Sequence, residues 1–149
     1  MLTGTLIIDV ADAIVAALNG LQFAEPFVAT RAWNPAYKPS ELTTLRVTVV
    51  PLAMKDTEIA RDSEQQEFEI HVGVQKKLDS TDETTQIDAL VGLVQAIRTV
   101  LMTWRMEGDP FAVVISAPIN PIADRDHLDD LRVFTSVIQL KLVARVATV

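Results

Sequence analysis

The chain has 149 residues, no cysteine, and 13 Lys and Arg against 20 Asp and Glu, for a formal net charge of −7. That length suffices for one domain with a sizeable core, and the lack of thiols excludes disulfide frameworks, zinc–thiolate sites and cysteine nucleophiles. The acidic balance, with no basic run beyond Lys76-Lys77, argues against binding nucleic acid through its phosphates.

Half of the chain is apolar (49%) but only 5% is aromatic, so the core has to be built from Val, Ile, Leu and Ala. A mean hydropathy of +0.25 in spite of 22% charged residues suggests apolar surface covered by helices or hidden in an oligomer. Asp9 and Asp12 interrupt the first apolar run, and no basic region precedes it, so no signal peptide is expected. No uninterrupted apolar stretch looks long enough to span a membrane.

Leu6, Val10, Ile14, Ala17 and Leu21 recur at helical spacing and predict a helix over Thr5–Asn19, with Asn19-Gly20 as its stop. Phe27 to Trp33 reads as a strand. Asn34 to Pro39 must be a loop, because its two prolines remove backbone donors. Leu45 to Val50 is β-branched with period two and predicts a strand ended by Pro51. Met54 to Ser63 is polar and predicts an extended arm or loop. Glu67 to Lys77 alternates again, with Phe68, Ile70, Val72 and Val74 on one face.

Ile87, Leu90, Val94, Ile97, Leu101 and Trp104 make one continuous helical stripe, widened by Val91, Leu93 and Val100. Ser80 to Glu83 fits a capping box at its start, and Trp104 belongs to the core. Gly108-Asp109-Pro110 is a turn. Ala112 to Ile115 is apolar on both faces and predicts a central strand, closed by Pro118 and Pro121. Asp124 to Asp130 is an acidic loop. The last strand, about Leu131 to Val146, turns Phe134, Ser136, Ile138, Leu140, Leu142 and Ala144 to one face and is long for a globular strand. The order is α-β-β-β-α-β-β. It predicts a single α+β domain over 1–149, a mixed and mainly antiparallel sheet covered by two helices.

Chemistry is hard to find in these residues. Asp124, Asp126 and Asp129 supply the only grouping with metal-ligand residue types, but Leu128 occupies the third ligand position of a calcium loop and no Gly stands at the sixth. The plain reading is a solvated loop, so no metal and no cofactor is expected. There is no nucleophile elbow or phosphate loop, and His71 on the polar strand face lacks a visible partner for general-base work, so no catalytic residue is assigned and no enzyme is expected. Trp33 and Tyr37 flank the proline loop, either pinning it to the core or offering aromatic contacts to a partner. Lys76 ends a strand and could pair with acidic residues of a neighbour. The candidate interaction surface comprises Trp33, Tyr37, Arg61, His71, Gln75, Lys76, Arg125 and Lys141.

The order of segments has a likeness. The N-terminal helix with a short strand and Arg31-Ala32-Trp33-Asn34-Pro35-Ala36-Tyr37-Lys38-Pro39-Ser40-Glu41-Leu42 comes first. Leu45-Arg46-Val47-Thr48-Val49-Val50-Pro51 and Ile70-His71-Val72-Gly73-Val74-Gln75-Lys76-Lys77-Leu78 follow, then Ile87-Asp88-Ala89-Leu90 opening the helix. Leu131-Arg132-Val133-Phe134-Thr135-Ser136-Val137-Ile138-Gln139-Leu140 lies near the end. Together they resemble the tail terminator or tail completion proteins of the neck of long-tailed bacteriophages and prophages, over nearly the whole chain. The resemblance implies a virion structural protein assembled in the bacterial cytoplasm. It implies a homo-hexameric ring that caps the tail tube, stops its growth and offers a docking surface for the head. Its partners would be the tail-tube protein and a head-completion or connector protein, with no membrane and no catalytic residues to transfer. The acidic balance suits a lumen through which DNA passes without sticking. Another neck or head-completion protein, or a generic α+β module that binds a peptide or ligand, are the alternatives.

Overall fold

The apolar positions of two helices and six strands meet on one face of a curled, mixed sheet. The computed structural model describes residues 6–34, 38–60, 63–106 and 111–147. In chain order the elements are α1 (Leu6–Asn19), β1 (Val28–Arg31), a 3₁₀ turn (Pro39–Leu42), β2 (Arg46–Ala60), β3 (Ser63–Lys77), α2 (Glu83–Thr103), β4 (Arg105–Met106), β5 (Phe111–Ser116), a π-helical turn (His127–Leu131) and β6 (Val133–Ala147). The sheet order is β1-β2-β3-β6-β5-β4, parallel only between β1 and β2. The α+β class, the two covering helices and the order of elements agree with the sequence, with the two-residue β4 added. The expected turn at Gly108-Asp109-Pro110 lies outside the described residues.

Period-two alternation sends Val47, Val49, Phe68, Ile70, Val72, Val74, Ile138, Leu140 and Leu142 under the helices, where all are buried. From α1 come Val10, Ala11, Ile14 and Leu18; from α2 come Leu90, Leu93, Val94, Ile97 and Leu101. Helix α1 packs on β1 and β2, and α2 on β5 and β6. Burial of such aliphatic stripes, about 1.5–3 kcal/mol per side chain, is what holds the layers together. By length and composition alone α2 could cross a membrane, a property the interrupted apolar runs do not suggest. Here its apolar stripe is spent on the sheet. Trp104, just past α2, is half-buried against the same core.

Four local expectations are corrected. Pro51 does not end β2, which continues to Ala60. Backbone groups alternate sides along a strand, and the carbonyl of Val49 points to β1, accepting from Ala32 N at 3.0 Å. Position 51 points the same way, but β1 pairing stops at Val49, so the missing N–H breaks no ladder bond. The polar segment after Met54 is the extended arm: Lys55 pairs with Glu67 and Ala60 with Ser63, completing a long hairpin.

The capping box does not form. Asp82, not Ser80, precedes α2, in a left-handed conformation (φ 51°) without a side-chain cap bond. Gln86 holds the turn instead: its Oε1 accepts from Asp79 N at 2.9 Å and its Nε2 donates to Thr81 O. Glu83 is drawn to Arg132, 2.9 Å away. The apolar run Ala112 to Ile115 is not central, since only β4 lies outside β5; Ala112 and Val114 are buried and Ile115 is exposed. An apolar run hides the alternation that would have placed it. Finally, the acidic stretch is not a plain loop, because its second half winds into the π-helical turn and takes Leu131 out of the last strand.

Candidate interaction surface

Strands β2, β3 and β6 have 15 residues each. At about 3.3 Å per residue they reach roughly 50 Å, whereas α1 and α2, at about 1.5 Å per residue, extend only about 21 and 31 Å. These strands are therefore longer than the helices that cover the sheet.

Two bulges stand at one level of this sheet. Ala53, Glu69, Lys141 and Ser116 form one rung across β2, β3, β6 and β5. Beside it, Leu52 in β2 and Ile115 in β5 have no cross-strand partner. A bulge bends its strand and increases the local twist, so β2 and β5 both turn at this level. Three exposed apolar side chains gather there: Leu52 is 52%, Met54 51% and Ile115 54% exposed. An open concavity of about 290 Å³ is lined by Met54, Lys55, Glu67, Glu69, Ile115 and Lys141, among others.

The margin at β1 is closed by a side chain. Asn19 Nδ2 donates to Ala29 O at 3.0 Å, and Ala29 N donates to Asn19 Oδ1 at 2.7 Å. One amide thus takes the place of a neighbouring strand on an edge that would otherwise invite pairing. Beside it Arg31 donates to Asp12 Oδ1 at 2.7 Å, and its guanidinium lies 5.5 Å from the centre of the Trp33 ring. Trp33 is 60% exposed. It does not pin the loop to the core; it lies in the open beside a cation.

The candidate residues do not form one cluster. His71, Gln75 and Lys141 share the face of the sheet opposite the helices, alternating with the buried set. His71 Nε2 lies 3.1 Å from Glu69 Oε1. Gln75 Nε2 donates to Thr135 Oγ1 at 3.3 Å, and that hydroxyl lies 2.7 Å from His127 Nδ1. A hydroxyl accepting from Gln75 can donate its own proton to His127, so the three side chains tie the π-helical turn to the sheet. Lys76 falls on the helix side, in a concavity shared with Glu25, Asp79, Asp82 and Gln86. The carboxylates around it there belong to its own chain. Arg125 is exposed just before the π-helical turn. Tyr37 and Arg61 lie outside the described residues.

The three metal candidates do not converge. Asp124 Oδ1 accepts from His127 N at 3.0 Å, capping the helical turn, while Asp126 and Asp129 are exposed. Among the described residues no group of three His, Asp or Glu side chains is placed to hold a cation. Missed by the sequence were Asn19 as an edge cap, the Leu52 and Ile115 bulges, and Thr135 as a hub. Pro51 inside an alternating run was the one available signal for an edge or a bulge; Ile115 left none.

The chain matches no family model and no curated protein.

Proposed function

We propose that the chain is a structural protein of the neck of a tailed bacteriophage, a tail terminator that closes into a six-membered ring on the tail tube. The ring would stop tube growth and present a docking face to the head. The order of segments that resembles the tail terminators supports this reading. So does one feature of the fold: strands about 50 Å long that outrun their helices, with Leu52 and Met54 exposed on β2 and Ile115 on the shorter β5. Surfaces of this kind do their work by contact, and the functional residues are those that meet neighbours.

A second reading, a generic module that binds a peptide, is favoured by the open concavity between Met54 and Ile115. Native mass spectrometry with negative-stain imaging over a concentration series separates the two. The terminator reading expects a closed hexamer with a central hole, alone or on added tail tubes. A particle that stays monomeric at every concentration and leaves tail tubes uncapped refutes it.

A further inference from the structure

Three rungs of the sheet turn a charged face away from the helices. Residues paired directly across strands share a face, so Lys55, Glu67, Val143, Val113 and Arg105 form one rung there. The rung of Ala53, Glu69, Lys141 and Ser116 lies on one side of it, and that of Gln65, Arg145 and Phe111 on the other. The face holds four exposed cations, Lys55, Arg105, Lys141 and Arg145, against two carboxylates, Glu67 and Glu69. This local surplus is positive in a chain of net charge −7. Glu69 does not neutralise Lys141 across the rung, because its carboxylate turns to His71, 3.1 Å away. Among the described residues the ion pairs are Arg31–Asp12, His71–Glu69 and Arg132–Glu83, and none holds one of the four cations. Between the cations lie half-buried Val113 and Val143 and exposed Ile115, at the open concavity.

The opposite charge stands at the other end of β6. The π-helical turn and the residue before it expose Asp126, Asp129, Asp130 and the apolar Leu131. Arg125 stands beside them, and Arg132 is held by Glu83. At about 3.3 Å per residue, Lys141 and Arg145 lie roughly 26 and 40 Å along β6 from its start at Val133, where the turn is attached. The turn cannot reach the cations of its own chain.

We infer that the acidic π-helical turn of one copy docks on the cationic sheet face of a second copy, head to tail. Like surfaces repel: two sheet faces bring their cations together, and two turns their aspartates. Unlike surfaces attract, and the attraction selects both the partner and its orientation. Leu131 of one copy and Ile115 of the other supply the apolar centre of the contact, and the charges its rim. A contact between two different surfaces of the same chain is heterologous, and it closes into a ring when the rotation between copies allows. The inference rests on the ring reading and names the contact that would build it.

The absence of cysteine allows a clean test, since only introduced thiols react with a bismaleimide. Leu131→Cys and Ile115→Cys are made in differently tagged chains, with circular dichroism confirming the fold of each. Expected is a mixed crosslinked pair when the two are combined, and no crosslink from either alone. Charge reversal gives the second arm. Arg105 lies opposite Val113, and Arg145 opposite Gln65 and Phe111, so Arg105→Glu with Arg145→Glu sets no like charge across a strand. That chain should associate about tenfold more weakly or worse, as should an Asp129→Lys, Asp130→Lys chain, and mixing the two should restore association. Crosslinking of Ile115→Cys with itself means that faces pair with faces, and the inference falls. A wild-type oligomer that survives both reversals and yields no mixed crosslink overturns this contact while leaving the ring reading intact. A monomer whose sheet face binds a polyglutamate peptide, and loses it on reversal of Arg105 and Arg145, gives the face to an acidic partner of another kind and overturns the inference. A protein that neither associates with itself nor caps tail tubes sinks both.

Discussion

Asn19→Ala tests the edge cap directly. The substitution removes the donor to Ala29 O and the acceptor for Ala29 N, bonds of 3.0 and 2.7 Å. Ala29 is only 2% exposed, so water reaches its freed backbone groups poorly. A hydrogen bond contributes a net of about 1 kcal/mol, and a buried group left unpaired costs about 1–3 kcal/mol. Because the site is at a sheet edge, partial access of water reduces the second figure, and a loss of about 2 kcal/mol is expected. For a chain of this length each kcal/mol moves Tm by roughly 2–4 °C, so the variant should melt about 4–8 °C lower. Asn19→Asp discriminates further: it keeps the acceptor for Ala29 N but turns an oxygen on Ala29 O, and it should be no better than alanine. Thermal unfolding by circular dichroism gives the magnitude, and hydrogen exchange at the Ala29 amide gives the location. An Asn19→Ala protein with unchanged Tm and unchanged protection at Ala29 would refute the idea that one amide stands in for a strand. Exposure of the β1 edge should also raise the tendency to aggregate.

Two further predictions concern the core and the acidic turn. Ile97 is fully buried between α2 and the sheet, so Ile97→Ala should cost about 2–5 kcal/mol in urea unfolding; a loss under about 1 kcal/mol would mean that α2 is not seated as described. Asp124→Ala removes the cap on His127 N and should cost about 1 kcal/mol, while calcium or magnesium should leave Tm of the parent protein unmoved. A strong rise with either cation would show that the aspartates do gather around a metal.

The periodic signals were legible from the sequence because they are local. Apolar residues three and four apart in α2, and two apart in β3 and β6, declare which face is buried before any partner is known. They sufficed for the α+β class, for most of the elements, and for the buried rows of Phe68 to Val74 and Phe134 to Ala144. Pairing is not local. That Pro51 could stay inside β2 depended on where β1 ends. That the run from Ala112 to Ile115 sits near a margin depended on which strand had room beside β6, and an unbroken apolar run reads equally well at a centre.

The surface was less legible still. Trp33, His71 and Lys141 are visible as residue types, but only the fold decides that Trp33 stands beside Arg31 while His71 and Lys141 share a face with Gln75. A capping box is a statement about four neighbouring residues, and Gln86 and Arg132 overrode it by offering Asp79, Thr81 and Glu83 better partners. By itself the sequence determined the layers, through the periods of its apolar residues, and the surplus of carboxylates between positions 55 and 69. Only the tertiary structure decided that β6, which holds no carboxylate, lies directly beside β3 with Lys141 on the rung of Glu69, because strand order is settled by long-range pairing and not by neighbours in the chain.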